Sequence, residues 1–338
     1  MIPSSGVARW TWSRWDRSAD EITLCLRGLL SAHHVLTEHR FSVGGPAARL
    51  TVTENGNPTH RLFDRDITLR MADLSSDRLA RVVEEIRSVA APGEVGSADA
   101  RMDCTAVLLT EEGEREQERA FLLSSASFAG FAGVDLETYT DVWMRYDVKG
   151  RPQPAVHSAN APRLTAVLSR LADALGTGTE PEDPTCFGTP TPTGVDNRYE
   201  ADGSPSDVWG RFEIPSRKAV FEFLPPFHQG HFGRTADGTV QYVPVRGSDG
   251  LLLGHLWASD PDGAASFAPR DAAGEDGHRA GLVWLDRLRA TRERGLSPSQ
   301  ALAELSSCPG DPVAGQADPR SRPRTMPLRD LRDRARDA

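Results

Sequence analysis

The chain has 338 residues, of which 38% are hydrophobic and 26% are charged, so it can bury a core and is not disordered as a whole. Its length exceeds the size at which one hydrophobic core usually stops growing, about 250–300 residues, which favours two domains. A formal net charge of -9 argues against a broad surface for nucleic acid or anionic membranes, because both need clustered Lys and Arg.

The four cysteines lie far apart in the sequence and form no Cys-x-x-Cys pair. This spacing argues against a zinc knuckle or a thioredoxin-like motif and predicts free thiols. The N-terminal segment contains arginines but no apolar stretch of signal-peptide length, and no run of about 18 apolar residues occurs anywhere. We therefore expect a cytoplasmic protein without a membrane span.

Residues 1–176 are predicted to form an N-terminal α+β domain. Alternation and β-branched content predict strands at residues 49–53 and 66–70. Two apolar runs, at 105–110 and 120–124, are predicted strands on either side of a charged connection, and residues 135–147 are predicted to supply a further strand. Apolar residues spaced by three and four predict an amphipathic helix over residues 79–89 and a longer one over residues 164–175. Asn160 is placed to cap the longer helix, and Gly176 is placed to end it.

Residues 177–210 are predicted to be an acidic, Pro/Gly-rich connection between two domains. The segment has five prolines, five glycines and seven carboxylates but a single basic residue, Arg198. Loops of this length are usually linkers or functional surfaces, and aromatic anchors within a charged rim are typical of protein interfaces. We therefore predict that a basic partner binds here, through Glu180, Glu182, Asp183, Asp196, Glu200, Asp202, Asp207 and Trp209. The alternative is that the carboxylates are simply solvated and that Trp209 packs beneath the second domain.

Residues 211–307 are predicted to form a C-terminal α+β domain. Strand patterns occur at residues 211–215, 219–224, 239–245 and 251–257. A helical pattern covers residues 279–292, and a second helix is predicted to begin at Ser297, where Gln300 completes a capping box. Residues 308–338, rich in Pro, Gly and Arg, are predicted to be a mobile tail. The predicted fold class is α+β, in two segments that each contain an antiparallel sheet with packed amphipathic helices.

Two histidines three positions apart, His228 and His231, are the sharpest candidate for a metal site. Imidazole nitrogens are common zinc ligands, and Glu222 or His255 could complete the coordination. The segment lacks the His-Glu-x-x-His pattern that places a general base beside a catalytic zinc. A zinc-assisted hydrolase with a metal-bound water as nucleophile is therefore an alternative hypothesis, whereas the main prediction is that no cofactor is bound. In the simpler alternative, the two histidines form hydrogen bonds within a loop.

Other sequence features favour a binding protein over an enzyme. The sequence contains no Gly-x-Ser-x-Gly elbow, no phosphate-binding Gly-x-x-x-x-Gly-Lys-Ser/Thr loop and no Gly-x-Gly-x-x-Gly motif. Trp10, Trp12 and Trp15 crowd the N-terminus among arginines and could form a docking element, although such residues more often fix a terminus to the core. A regulatory or scaffolding protein that docks through this N-terminus is thus a further alternative.

Four segments resemble parts of uncharacterised proteins from high-GC actinobacteria. They are residues 147–154 (Asp-Val-Lys-Gly-Arg-Pro-Gln-Pro), 160–164 (Asn-Ala-Pro-Arg-Leu), 205–209 (Pro-Ser-Asp-Val-Trp) and 254–259 (Gly-His-Leu-Trp-Ala-Ser), and the likeness covers residues 140–307. Some such proteins resemble immunity proteins of polymorphic toxin systems. The resemblance implies a partner class but transfers no catalytic residue.

The main hypothesis is a non-catalytic cytoplasmic protein-binding module, an immunity-type protein that neutralises a basic toxin or nuclease domain. In this hypothesis the carboxylates steer the encounter, and aromatic residues such as Trp209 supply affinity. Neither a nucleic acid nor a membrane is an expected partner.

Overall fold

The computed structural model describes residues 3, 5–45, 47–69, 75–224, 230–318 and 322–336. The chain folds into two compact units, unit 1 (Met1–Glu213) and unit 2 (Ile214–Ala338), each held together by its own internal contacts. Each unit combines antiparallel strands with packed helices, so the predicted α+β class is confirmed.

The elements of unit 1 build one large sheet and one small hairpin. The sheet strands are β1 (Ala8–Trp15), β2 (Ala47–Glu54), β3 (Asn57–Thr68), β4 (Val95–Thr110), β5 (Gly113–Phe128), β6 (Phe131–Thr138) and β7 (Glu180–Pro181). In the described residues these seven strands are antiparallel, in the order β3-β2-β4-β5-β6-β1-β7. The hairpin consists of β8 (Gly188–Thr191) and β9 (Gly194–Asn197), and the helices are α1 (Glu21–Glu38), α2 (Ser76–Val89) and α3 (Pro154–Leu175).

One face of the large sheet forms the core of unit 1. Side chains alternate between the two faces of a strand, and on β1 Trp10 and Trp12 are buried while Arg9 is exposed. Helix α1 packs against β4, β5 and β6 on the buried face, and it also contacts α3. Asp20 caps α1 by accepting a hydrogen bond of 3.3 Å from the backbone amide of Thr23.

The prediction that residues 177–210 are a connection is wrong, because this segment belongs to unit 1. Strand β7 extends the sheet beside β1, and two buried indoles hold the segment that follows α3. The Nε1 atom of Trp10 donates a 2.7 Å hydrogen bond to the carbonyl of Thr191, and that of Trp12 donates a 3.1 Å bond to Oγ1 of Thr179. Buried indole N–H groups need hydrogen-bond acceptors, and this segment supplies them to the two tryptophans of β1.

Helix α3 differs from the predicted helix at its start but not at its end. It begins at Pro154, so Asn160 lies inside the helix and is fully buried instead of capping it. The Asn160 side chain accepts a 3.0 Å bond from the amide of Leu109 and donates a 2.7 Å bond to the carbonyl of the same residue. Asn160 thus provides hydrogen-bond partners for the backbone near the end of β4. Gly176 ends the helix as predicted, with a left-handed φ of 69° that costs glycine little.

Unit 2 is built on a smaller sheet. Its strands are β10 (Thr239–Arg246), β11 (Leu252–Ser259), β12 (Ala264–Pro269), β13 (Gln316–Ala317) and β14 (Arg324–Pro327). Its helices are α4 (Ile214–Glu222), α5 (Gly274–Glu293), α6 (Pro298–Ser306) and α7 (Leu328–Arg336). Strand β11 lies between β12 and β10, and both β13 and β14 pair with the other side of β10. Trp284 of α5 and Phe267 of β12 are buried in the core on one face of this sheet.

Two predictions for unit 2 are wrong. Residues 211–215 and 219–224 are not strands, because a π-helical turn (Trp209–Glu213) leads directly into α4. Of the α4 side chains only Phe221 is buried, and it packs against Phe267 with 6.2 Å between ring centroids. The described residues of the predicted tail are also ordered, because Leu328 and Leu331 of α7 pack on the second face of the sheet.

Two further expectations concern the cysteines and membrane helices. Cys25, Cys104, Cys186 and Cys308 are all free thiols. Burial raises the pKa of the Cys25 and Cys104 thiols, so neither forms the reactive thiolate at neutral pH. Within the ranges that the structure describes, no helix is long and apolar enough to cross a membrane.

The predicted capping box of α6 is confirmed and supports a stability prediction. Ser297 accepts a hydrogen bond from the amide of Gln300, whose side chain accepts one from the amide of Ser297. Replacing Ser297 with Ala removes the acceptor of the Gln300 amide, while the amide of residue 297 keeps its bond to the Gln300 side chain. The change should lower the free energy of unfolding by about 1 kcal/mol. Urea unfolding would measure the change. Ser307→Ala, at the exposed end of the same helix, is the control and should change it by less than about 0.5 kcal/mol.

Candidate protein-binding surface

The large sheet of unit 1 has a second face, which we call the open face. On β1 it carries Arg9, Thr11, Ser13 and Trp15, all of them exposed or half-buried. The same alternation continues on β4, β5 and β6, whose buried side chains point to the α1 face. The open face therefore presents side chains from several adjacent strands on one surface.

Four carboxylates gather where the open face meets β7, and we call Asp135, Glu137, Glu180 and Glu182 the acidic edge. Glu180 pairs with Thr11 across the β1–β7 ladder. The Thr11 hydroxyl lies 2.7 Å from Oδ1 of Asp135 and 2.8 Å from Oε1 of Glu182. Since a hydroxyl donates one hydrogen, it serves one of these two carboxylates at a time.

Arg9 is the cation of the acidic edge. Its Nη2 atom lies 2.9 Å from Oδ2 of Asp135. Burial lowers the pKa of Arg9, but the negative charges of Asp135, Glu182 and Glu137 outweigh this effect and raise it. One guanidinium is therefore coupled to three carboxylates, which leaves the neighbourhood with an excess of negative charge.

The other end of the acidic edge contacts a tyrosine. The hydroxyl of Tyr139 donates a 3.0 Å hydrogen bond to Oε2 of Glu137. Burial, followed by the charge of Glu137, raises the pKa of Tyr139 to about 12, so the phenol stays protonated and keeps donating at neutral pH.

The remaining predicted carboxylates lie elsewhere. Glu200, Asp202 and Asp207 lie in the turns that precede the π-helical segment, where they mostly accept local hydrogen bonds. Asp207, for example, accepts a 2.8 Å bond from the amide of Gly210. Asp183 is exposed next to Glu182, and Asp196 is exposed on β9. The predicted set is thus divided, and only Glu180 and Glu182 belong to the acidic edge.

Trp209 packs on unit 1. Its side chain is half-buried against the unit 1 core, and its amide donates a 2.8 Å bond to the carbonyl of Val148. Nζ of Lys149 lies 5.8 Å from the centre of its ring. This cation–π contact occupies one face of the indole, and the partner-binding role of Trp209 stays a prediction.

The open face carries a row of three aromatic residues that the sequence pattern does not reveal, exposed Trp15 and Phe128 with half-buried Phe131 between them. Trp15 is 71% exposed and Phe128 is 52% exposed. The ring centroids of Trp15 and Phe131 are 5.6 Å apart, and those of Phe131 and Phe128 are 5.3 Å apart. Strand alternation would have separated Trp15 from the buried Trp10 and Trp12, but nothing in the sequence brings three separate strands together.

The candidate zinc ligands that the structure describes have different neighbours. His228 lies outside the described residues, and His231 is half-buried near Arg234 and Arg289, whose charges add to burial in lowering its pKa. Glu222 pairs with Arg332 and Arg336 of α7, at 3.9 and 3.8 Å.

His255 lies buried in β11, where burial and the charges of Arg334, Arg270 and Arg246 lower its pKa to about 4. Within the described ranges no group of three or more His, Cys, Asp or Glu side chains could hold a metal ion. The zinc hypothesis stays a prediction, which elemental analysis of the purified protein would test.

Comparison of the chain with protein-family models, with curated proteins and with solved structures returned no match.

Proposed function

We propose that the protein is a non-catalytic cytoplasmic binding module, whose unit 1 binds a cationic protein partner. The observation that carries this proposal is the acidic edge, where Asp135, Glu137 and Glu182 are coupled to the single guanidinium of Arg9. Surface carboxylates in excess attract a basic partner and raise its association rate.

The distribution of charge over the chain supports the same proposal. Unit 1 contains 22 Lys and Arg against 32 Asp and Glu, a formal charge of -10, whereas unit 2 contains 17 against 16 and carries +1. The negative charge of the protein is therefore a property of unit 1. A partner steered by charge would approach unit 1, and its association rate would fall as salt screens the attraction.

The resemblance of four segments to proteins that are similar to immunity proteins suggests the class of the partner. A toxin or nuclease domain that acts on nucleic acid needs a basic surface, because phosphate contacts dominate its affinity. An acidic protein that covers such a surface would block it stoichiometrically. No catalytic residue is needed for this function.

The double substitution of Glu180→Gln with Glu182→Gln tests the proposal. Affinity capture from the native cytoplasm at low and at high salt, followed by mass spectrometry, should first identify a basic protein that high salt releases. We then expect the double variant to bind this protein about threefold to tenfold more weakly, since each exposed charge pair contributes about 0.2–1 kcal/mol. Titration calorimetry with the purified partner would measure the change.

The matched control is Glu84→Gln with Glu85→Gln, which removes two exposed charges from α2 in the same unit. This control should keep the wild-type affinity to within about twofold. The proposal is wrong if the Glu180/Glu182 variant binds as the wild type does, or if the captured partner is acidic and insensitive to salt.

A further inference from the structure

The aromatic row is the largest feature of the open face that the proposed function does not explain. Trp15 is the direct cross-strand partner of Phe131, and Phe131 is the direct partner of Phe128. Three aromatic side chains therefore stand side by side on β1, β6 and β5, at one end of these strands. Large apolar groups at the surface cost free energy unless something covers them, so such patches usually mark a binding site.

The next row of the open face is made of small residues. Ser13 pairs with Gly133, and Gly133 pairs with Ala126. A Cβ atom added at Gly133 would lie 3.7 Å from the ring of Phe131, which shows how closely this floor adjoins the aromatic row. The aromatic rings thus border a low floor on which an extended chain could lie.

Carboxylates lie beyond this floor. Asp99 is the cross-strand partner of Ala126, and Asp135 follows Gly133 by two residues on β6. The carboxylate of Asp99 is 39% exposed and contacts Nε of Arg101 at 3.0 Å. Phe131 and Asp135 are separated by four residues of strand, about 14 Å. An extended segment of about five residues could therefore reach from the aromatic row to the acidic edge.

Charge decides which ligand suits the aromatic row. Aromatic side chains on an antiparallel sheet can stack nucleic-acid bases, but such platforms lie in positively charged grooves. Over strands β4, β5, β6, β1 and β7 the open face has six carboxylates (Asp99, Asp103, Asp135, Glu137, Glu180 and Glu182) against Arg9, Arg101 and Arg119, with Arg17 beside Gly130 in the turn next to the row. A cationic side chain would find both an aromatic face and a carboxylate here.

We propose that the aromatic row of Trp15, Phe131 and Phe128 anchors an extended segment of a protein partner, one face of which carries apolar side chains followed by Arg or Lys. The inference rests on the proposed function and names the part of the partner that is recognised. Apolar side chains pack on the rings, and the cations reach Asp99 and the acidic edge. The aromatic residues supply affinity, whereas the carboxylates supply orientation and the rate of association.

The test uses two fluorescein-labelled decapeptides of equal charge: one has Leu at positions 1 and 3 and Arg at positions 5, 7 and 9, so that all five side chains share one face, and the other has Ser in place of Leu. We expect the wild-type protein to bind the Leu peptide about tenfold more tightly, and Trp15→Ser with Phe128→Ser to abolish this preference without changing the affinity for the Ser peptide. Fluorescence anisotropy would measure all affinities. Val89→Ser with Val313→Ser, at positions that are 56% and 50% exposed elsewhere, should retain the preference.

A second measurement does not depend on any variant folding. Trp15 is 71% exposed, whereas Trp209 is half-buried and Trp10, Trp12, Trp143, Trp257 and Trp284 are fully buried. Acrylamide should therefore quench the fluorescence of Trp15 first, and the Leu peptide should protect it while the Ser peptide should not. Quenching that the Leu peptide leaves unchanged would contradict the proposal.

The outcomes separate this inference from the proposed function. If Glu180→Gln with Glu182→Gln weakens both peptides but the aromatic variant changes neither, the acidic edge binds cations and the aromatic anchor is wrong. If no variant changes either affinity, both proposals are wrong. Tighter binding of oligo(dT) than of the Leu peptide would overturn the inference in favour of nucleic acid. A dimer that only the aromatic variant dissociates, seen by light scattering, would overturn it in favour of a second copy.

Discussion

Removing residues 1–20 is expected to unfold unit 1, not merely to release a partner. Strand β1 lies between β6 and β7 in the sheet, and Trp10 and Trp12 are buried in the core. Truncating one buried Trp to Ala costs about 3–5 kcal/mol, and the whole stability of a domain is about 5–15 kcal/mol. The deletion also removes Asp20, which caps α1. Near-ultraviolet circular dichroism and thermal unfolding would show the loss.

Two single substitutions on the same strand serve as controls. Trp12→Ser should destabilise the protein by about 3–5 kcal/mol because this indole is 2% exposed. Trp15→Ser should change stability by less than about 1 kcal/mol because this indole lies on the open face. An intact signal after the deletion would restore the scaffolding hypothesis, in which the N-terminus is a detachable docking element.

Where a segment buries one face only, the sequence pattern predicted the structure well. Residues 49–53 alternate because β2 buries Leu50 and Val52, whereas Arg49 is exposed and Thr51 and Thr53 are half-buried. Gly176 and the Ser297 capping box were readable because helix ends are set by local geometry. These features depend on neighbours within a few residues of each other.

The pattern failed where distant residues stabilise an element. Strand β7 has two residues, too few to show alternation, and Trp10 contacts a carbonyl 181 residues further along the chain. Helix α7 has only three buried side chains, Leu328, Leu331 and Ala335, and they pack on a sheet face that the sequence does not reveal. Helix α1 was missed because ten of its eighteen residues are buried, which leaves a weak polar stripe.

The candidate site likewise combines residues that the sequence identified with residues that only the fold brings together. Glu180 and Glu182 were found from the composition of a single segment, whereas Asp135 and Glu137 join them only because β1 lies between β6 and β7. The aromatic row likewise requires the register of three strands, which pairs Trp15 with Phe131 and Phe131 with Phe128. Sequence composition can therefore suggest a charged partner, but the position of its apolar anchor requires the sheet.

Lowering the pH from about 7 to 4 is expected to destabilise unit 2 through His255. This side chain is 4% exposed, and its Nδ1 atom has no hydrogen-bond partner among the described residues. Its ring makes an edge-to-face contact with Tyr242 at 5.5 Å. Burial, and then the charges of Arg334, Arg270 and Arg246, lowers the pKa of His255 from 6.5 to about 4. The folded protein therefore holds this imidazole neutral.

The sign of the effect follows from proton binding. Between pH 6.5 and about 4 the unfolded chain binds a proton on this histidine that the folded chain does not bind. The contribution of His255 to stability is therefore complete above pH 6.5 and is lost as the pH falls to about 4. A shift of this size corresponds to about 3 kcal/mol in the free energy of unfolding.

His255→Leu should remove this part of the pH dependence. Urea unfolding at pH 7 and pH 4.5 should show that the variant loses about 2–3 kcal/mol less than the wild type does over this interval. Tyr242→Phe is the matched control, because it keeps the ring against His255 and removes only the hydroxyl that accepts a 3.4 Å bond from Arg334. It should retain most of the wild-type pH dependence. The carboxylates titrate in the same way in all three proteins, so the difference in pH dependence between the wild type and His255→Leu reports on residue 255. Parallel curves for wild type and His255→Leu would mean that the fold accommodates the imidazolium beside Arg334.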